Sequence, residues 1–221
     1  MTVATQKAYI GMGMEGSIAR WYDKTTRKDM PEFRKLAERI TTLLPNGGDV
    51  LEVAPGPGFL AIELARSGKV RITGLDISKT FVEIARTNAK EAGVTVDFNQ
   101  GNASQMPFAD SSFDVVVCRA AFKNFSQPIE ALREMRRVLR PGGTGLIIDL
   151  RRDVPMSEVN QQIRRWGLGF LNRWFISLTF RFMLLKRAYT MREFEELLRG
   201  IGFSKAGVRP EAIGMEVWLE K

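Results

Sequence analysis

The stretch Val50-Leu51-Glu52-Val53-Ala54-Pro55-Gly56-Pro57-Gly58-Phe59-Leu60-Ala61 decides how the rest of the chain is read. The run ending at Val53 predicts a strand over Asp49–Val53. It feeds an uncharged turn with two glycines, and the turn opens a helical pattern from Phe59 to about Ser67, stopped near Gly68. Glycines in such a turn let the backbone approach a ligand closely, while the unpaired N–H groups of the helix N-terminus point at it. Asp76 closes a second predicted strand, Val70–Asp76, 18 residues after Gly58. An acidic side chain there can accept both ribose hydroxyls of a nucleoside. Taken alone, Gly56-x-Gly58-x-x-Ala61 also fits the dinucleotide fingerprint, so the loop leaves the choice of adenosine cofactor open.

The alternation continues downstream. Ser78 is a good N-cap for a helix that places Phe81, Ile84, Ala85 and Ala89 at helical spacing. A third strand is predicted over Val94–Phe98, before Gly101-Asn102. A fourth, Phe113–Cys118, reads as buried on both faces. A helix from Pro128 to about Leu139 halts at Arg140-Pro141-Gly142-Gly143, and a fifth strand covers Gly145–Leu150. Upstream, Phe33, Leu36, Ala37 and Ile40 form the apolar stripe of a helix. From Met156 to Tyr189 the alternation stops and large apolar groups crowd in, among them Trp166, Trp174 and Phe175. Order resumes with a helix over about Met191–Gly200. Short strands follow near Phe203–Val208 and Met215–Leu219, spaced as an antiparallel pair at a sheet edge.

The fold expected is therefore α/β and Rossmann-like: a doubly wound, mainly parallel seven-stranded sheet with an antiparallel edge strand and helices on both faces. One domain is expected over 1–221. It comprises a helical cap (1–45), a cofactor-binding core (46–150), a lid or substrate insert (151–190), and a C-terminal helix with edge strands (191–221).

Composition narrows the chemistry. The chain has no histidine, which excludes Ser-His-Asp and Cys-His catalysis and every His-containing metal site; no metal is expected. Its single cysteine, Cys118, lies within Val115-Val116-Val117-Cys118 and reads as core filler. It cannot form an intrachain disulfide, which fits a reducing compartment. Met1–Gly16 lack the basic start and apolar run of an export signal, so a cytoplasmic location is expected. Of the net charge of +8, the segment Arg151–Arg192 holds nine Arg or Lys against Asp153 and Glu158. A solvated positive face and an anionic partner both fit that excess.

The ordered motifs resemble those of class I S-adenosylmethionine-dependent methyltransferases. Glu52-x-Ala54-x-Gly56-x-Gly58 resembles their first motif and Leu75-Asp76-Ile77-Ser78 their second. Gly101-Asn102-Ala103-x-x-Met106-Pro107-Phe108 is similar to the third; Phe113-Asp114-Val115-Val116-Val117 and Val138-Leu139-Arg140-Pro141-Gly142-Gly143 complete the series. The likeness covers roughly residues 48–150 and is greatest to the small-molecule branch that includes the quinone-biosynthesis C-methyltransferases. It implies S-adenosyl-L-methionine as cofactor, with Glu52 holding the methionine amine, Gly56 and Gly58 lining the methionine and ribose, and Asp76 taking the ribose hydroxyls. Ile77 would pack on the adenine, Asn102 and Ala103 read its edge, and Arg119 and Ala120 lie against the methionine end. This sequence departs from the pattern at Ala54, where the family has glycine, an exchange tolerable only if that position has no positive φ. Asn102 stands where aspartate is common, and Lys123-Asn124 where many relatives carry histidine.

Methyl transfer then needs an acceptor that arrives anionic or nearly so, or a carboxylate, tyrosine or lysine that removes a proton. Tyr22, Lys123 and Asn124 are the candidate catalytic residues, with Asp149 and Arg151 nearby by the same logic of strand ends. Tyr22-Asp23 resembles a pair found near the cofactor entrance in relatives. The acceptor expected is a small molecule, anionic or aromatic and apolar; no specific nucleic acid is expected, and residues 156–189 offer a weak membrane-surface contact. A nicotinamide-dependent dehydrogenase fails to explain the later motifs and lacks a Tyr-x-x-x-Lys. An RNA methyltransferase and a non-catalytic protein that binds S-adenosylmethionine stand as the alternatives.

Overall fold

The computed structural model describes residues 9–10, 13–165, 177 and 184–221. Its strands are β1 Gly48–Val53, β2 Val70–Asp76, β3 Asp97–Gln100, β4 Phe113–Arg119, β5 Leu139–Leu150, β6 Lys205–Glu211 and β7 Gly214–Glu220. They make one seven-stranded sheet in the order β3-β2-β1-β4-β5-β7-β6. The first five run parallel, and β7 runs antiparallel to both β5 and β6, so the expected antiparallel pair closes one edge.

The longer helices among the described residues are α1 Gly16–Thr26, α2 Met30–Thr42, α3 Phe59–Arg66, α4 Lys79–Glu91, α5 Pro128–Val138, α6 Met156–Arg165 and α7 Met191–Leu198. Side chains of a strand alternate between faces, and the central strands here are apolar on both. Val50, Val115 and Val117 enter a core shared with α2, α3 and α4, where Phe33, Leu36, Ala37 and Ile40 form the buried stripe of α2. Leu51, Val116 and Cys118 enter the opposite core, with Leu132 and Met135 of α5 and Phe194 of α7. This two-sided burial explains the unbroken run Val115–Cys118. It stabilises the fold by about 1.5–3 kcal/mol for each large apolar side chain removed from water.

Two strands differ from expectation. The third begins at Asp97 rather than Val94, because residues 94–96 carry the chain away from α4, where the Val94 N–H bonds Ala89 O at 3.1 Å. Phe98 then sets the register with β2 by lodging over Gly74, where any Cβ would fall 2.5 Å from its ring. The fifth strand begins at Leu139 rather than Gly145. Leu139 pairs with Phe113, the register shifts across Pro141-Gly142-Gly143, and pairing resumes at Val115 and Thr144. The breaker is thus a bulge within the strand, tied down by Arg140 on Asp49 (2.9 Å) and Asp114 (2.5 Å).

Among the described residues, no helix is long and apolar enough to cross a membrane. Part of the expected lid lies outside the described residues: Trp166, Phe170, Trp174, Phe175, Phe180, Phe182 and Met183 all do, as do Arg173 and Arg181.

Candidate functional site

The carboxyl ends of β1, β2 and β4 open side by side, since Val53 sits in register with both Leu75 and Cys118. This is where the strand order reverses, the position at which open α/β sheets bind ligands. The loop from β1 to α3 winds through Ala54, Gly56 and Gly58 with φ of +57°, +54° and +81°. Ala54 therefore does occupy a left-handed conformation, against the sequence expectation. It is held there by an N–H bond to Leu75 O of 2.8 Å, and an L-residue in that region costs about 1–2 kcal/mol. Gly58 is required twice over, by its φ and by its packing: a Cβ would lie 2.8 Å from the Phe98 ring and 3.0 Å from Ala85. Above Gly56 there is space instead, with Phe81 and Tyr22 no nearer than 4.0 Å to a hypothetical Cβ.

Asp76 is buried at the end of β2. One carboxylate oxygen accepts the Gly56 N–H at 2.9 Å, and the other accepts the Ser78 N–H at 2.9 Å. Each oxygen keeps a lone pair, so a vicinal diol can still be met by both. Burial pushes the Asp76 carboxyl up to about 6, against the pull of those backbone donors. Ser78 caps α4 by accepting the Phe81 N–H, and Ser78 Oγ donates to Met14 O at 2.8 Å, which draws the segment before α1 across the strand end.

Glu52 is buried in β1 with Oε2 lacking any hydrogen-bond partner. Burial raises its carboxyl to about 8, with the Ala61 N–H and the Arg119 charge offsetting only part of the effect. A buried acid with one orphaned oxygen is a receptor for a cationic donor. The ammonium of the methionine portion of S-adenosylmethionine has that charge and that hydrogen-bonding capacity. The residues present thus fit the cofactor: a carboxylate for its ammonium, a second for its ribose, and an open glycine turn between them.

The remaining predicted residues fall around this line. Ile77 is 36% exposed despite its size, and Ala120 is also exposed, so neither is core packing. Asn102 uses Oδ1 on the Ser104 N–H at 2.9 Å, and Ala103 beside it is half-buried. Arg119 lies over the Phe33 ring with its guanidinium carbon 4.5 Å from the centroid. Tyr22, on α1, packs edge-on to Phe81 at 5.9 Å, and burial raises its phenol above the ordinary range.

Lys123 and Asn124 occupy a 3-10 turn, Phe122–Asn124, just past β4. Lys123 is buried: its Nζ donates to Asp149 Oδ1 and to Ala120 O, both at 2.7 Å, and its backbone N–H donates to Asp149 Oδ2 at 2.9 Å. Asp149 also accepts the Leu150 N–H at 2.8 Å. The two residues named separately from the sequence are therefore each other's partner. Asn124 is half-buried and accepts the Ile10 N–H through its backbone carbonyl. Arg151 lies apart, buried within reach of Asp153 and Glu158, both at 3.5 Å.

Sequence reading missed Asn88. Its amide donates to Asp23 Oδ1 and Pro57 O, both at 2.9 Å, and its carbonyl accepts from Arg27 at 2.7 Å, so it clamps α1 to the glycine turn. The signal was present: Asn88 is a polar residue on the buried face that holds Phe81, Ala85 and Ala89.

Comparison with known proteins follows the same lines. Residues 51–147 match the family model described as a methyltransferase domain. A demethylmenaquinone methyltransferase of Deinococcus radiodurans is 40% identical over 45% of this chain and 42% of its own length, so the chain spans less than half of that relative. A demethylmenaquinone methyltransferase of Chlorobaculum parvum is 31% identical over 73% of this chain and 68% of its own. Among solved structures, a protein of Methanococcus maripaludis, provisionally assigned as an S-adenosyl-L-methionine-dependent methyltransferase, superposes with a TM-score of 0.76. It is 23% identical over 96% of this chain and 95% of its own, a likeness of fold.

Proposed function

Because the chain belongs to the class I S-adenosylmethionine-dependent methyltransferase family, we propose that it moves a methyl group from that cofactor to a small-molecule acceptor by direct in-line displacement. The observation that carries the reading is the pairing of Glu52, buried with an orphaned oxygen, and Asp76, buried at the next strand end, across one glycine turn. When bound, S-adenosylmethionine supplies an electrophilic methyl group on a sulfonium.

The chain's own residues then bind and orient. Glu52 grips the ammonium, Asp76 the ribose hydroxyls, and Ala54, Gly56 and Gly58 shape the floor between them. Ile77, Asn102 and Ala103 border the adenine, and Arg119 and Ala120 face the methionine end. Tyr22, whose phenol burial raises still further above neutral pH, serves as a hydrogen-bond donor at the mouth rather than as a base. Lys123 is engaged with Asp149 and acts as a positioning residue that holds the 120–124 turn against β5. Asn124 closes the end of that turn.

With no histidine in the chain, the acceptor enters with its nucleophile already deprotonated or nearly so. A phenolate or the ionised ring of a quinol meets that need, and the demethylmenaquinone for which the relatives are named supports this class. Positioning alone can then lower the barrier by about 7–11 kcal/mol. The test is release of S-adenosylhomocysteine over a panel of phenols, quinols, thiols and amines. Release is expected with phenol or quinol acceptors. Silence across the panel with intact cofactor binding would favour a non-catalytic binding protein, and methyl incorporation into RNA would overturn the small-molecule assignment.

A further inference from the structure

A second concavity lies on the far side of the Lys123 turn, between α5, α7 and the residues 186–189 that precede α7. It is a cleft of about 750 Å³, and none of the glycine turn, Asp76 or Ile77 lines it. That volume lies in the range of sites that take one small ligand.

Its lining combines cations with apolar side chains. Lys186, Arg187 and Arg199 stand exposed along it and enter no ion pair among the described residues. The other charged groups there are engaged: Arg152 with Glu193, Arg133 with Glu130, Lys123 with Asp149, and Glu196 with Arg192. Ile10, Ile129 and Leu197 line the same cleft. Ile10 and Ile129 are 52% and 41% exposed, two of only four large hydrophobic side chains so exposed among the described residues, and both face this one cleft. Tyr189 gives the cleft a fixed aromatic wall, its ring packed edge-on to Phe194 at 5.8 Å and tilted on Phe122 at 6.1 Å.

Cations free of ion pairs and exposed apolar side chains lining the same cleft complement one ligand chemistry. We propose that this cleft binds a small amphiphilic anion, its carboxylate or equivalent oxyanion on Arg187, Arg199 and Lys186 and its apolar portion on Ile10, Ile129 and Leu197. Arginine suits the first role because its planar fork meets an oxyanion with two parallel hydrogen bonds. The site is separate from the cofactor pocket, so its occupancy can be read without any methyl transfer.

Calorimetric titration of the full chain with decanoate, decanol and inorganic phosphate tests the proposal. Saturable decanoate binding is expected, with decanol and phosphate each at least about ten-fold weaker, since each supplies half of the complementarity. The double variant Arg187→Glu/Arg199→Glu is expected to lose decanoate affinity by about ten-fold or more while binding S-adenosylhomocysteine as the parent does, which shows that it is folded. Ile129→Ser is expected to weaken decanoate and leave phosphate unchanged. Decanol binding as tightly as decanoate would overturn the proposal, as would decanoate binding indifferent to both variants. Binding of anionic phosphatidylglycerol vesicles through Arg187 and Arg199 without any decanoate binding would also overturn it, in favour of a membrane-facing surface.

Discussion

Replacing Glu52 by glutamine removes the proton that links cofactor affinity to pH. Burial holds the Glu52 carboxyl near 8 in the unliganded fold, so at neutral pH the pocket contains mostly the neutral acid. A bound ammonium requires the carboxylate, and affinity must therefore rise with pH and level off above about 8. At about pH 6.5, ionising Glu52 costs about 2 kcal/mol, whereas at about pH 8.5 it costs only a few tenths. Relative to Glu52→Gln, S-adenosylhomocysteine, which keeps the same ammonium, should accordingly gain about 25-fold in affinity for the parent between the two pH values. In Glu52→Gln that rise should vanish, and titration of the ligand's own amine, common to both proteins, cancels in the comparison. Calorimetry in two buffers of different ionisation enthalpy should find close to one proton released per site near neutrality in the parent and almost none in the variant. The same shift sets a stability slope: a folded value above the ordinary 4.5 means that unliganded stability falls as pH rises from there towards 8. Glu52→Gln should escape that loss and unfold at higher urea at neutral pH. An affinity ratio of parent to glutamine variant that does not change with pH, or an equal stability slope in the two proteins, would refute the reasoning.

Two further outcomes follow from the backbone and from the buried pair. Ala54→Gly relieves about 1–2 kcal/mol of left-handed strain and gives back part of it as unfolded-chain entropy, for a net gain of about 0.5–1 kcal/mol. Urea denaturation should register it, and an unchanged or lower midpoint would mean that φ at this position is not strained. Lys123→Met leaves the Asp149 charge buried and should destabilise by about 3–5 kcal/mol, while adding Asp149→Asn should recover most of that loss. Strict additivity of the two substitutions would show that the pair is not coupled.

The parts of this fold that were legible from sequence are those where local and global demands coincide. The run Val115–Cys118 needs two apolar faces, and it has them. Ser78 was readable as a cap because its hydroxyl has a local role, accepting the Phe81 N–H three residues on. The Val94 start of the third strand misled because β-branched residues fit a strand equally well when they merely lead out of a helix. At the site, Asp76 could be found from spacing alone, since a strand end followed by a helix cap fixes where its carboxylate must lie. Three things could not. The left-handed Ala54 is a local rule broken for the sake of the turn and invisible without a dihedral angle. The Lys123–Asp149 pair joins residues 26 apart that only the parallel register of β4 and β5 brings together. Asn88 was hidden because its partners, Asp23 and Pro57, come from two other elements.

The most direct measurement is the affinity of S-adenosylhomocysteine for Asp76→Ala against the parent, with circular dichroism confirming that both are folded. Loss of hydrogen bonds from a buried carboxylate to two hydroxyls, each about 1.5 kcal/mol or more, predicts binding weakened about 100-fold or beyond. Equal affinity in the two proteins would contradict the account, because no nucleoside could then be resting on that strand end.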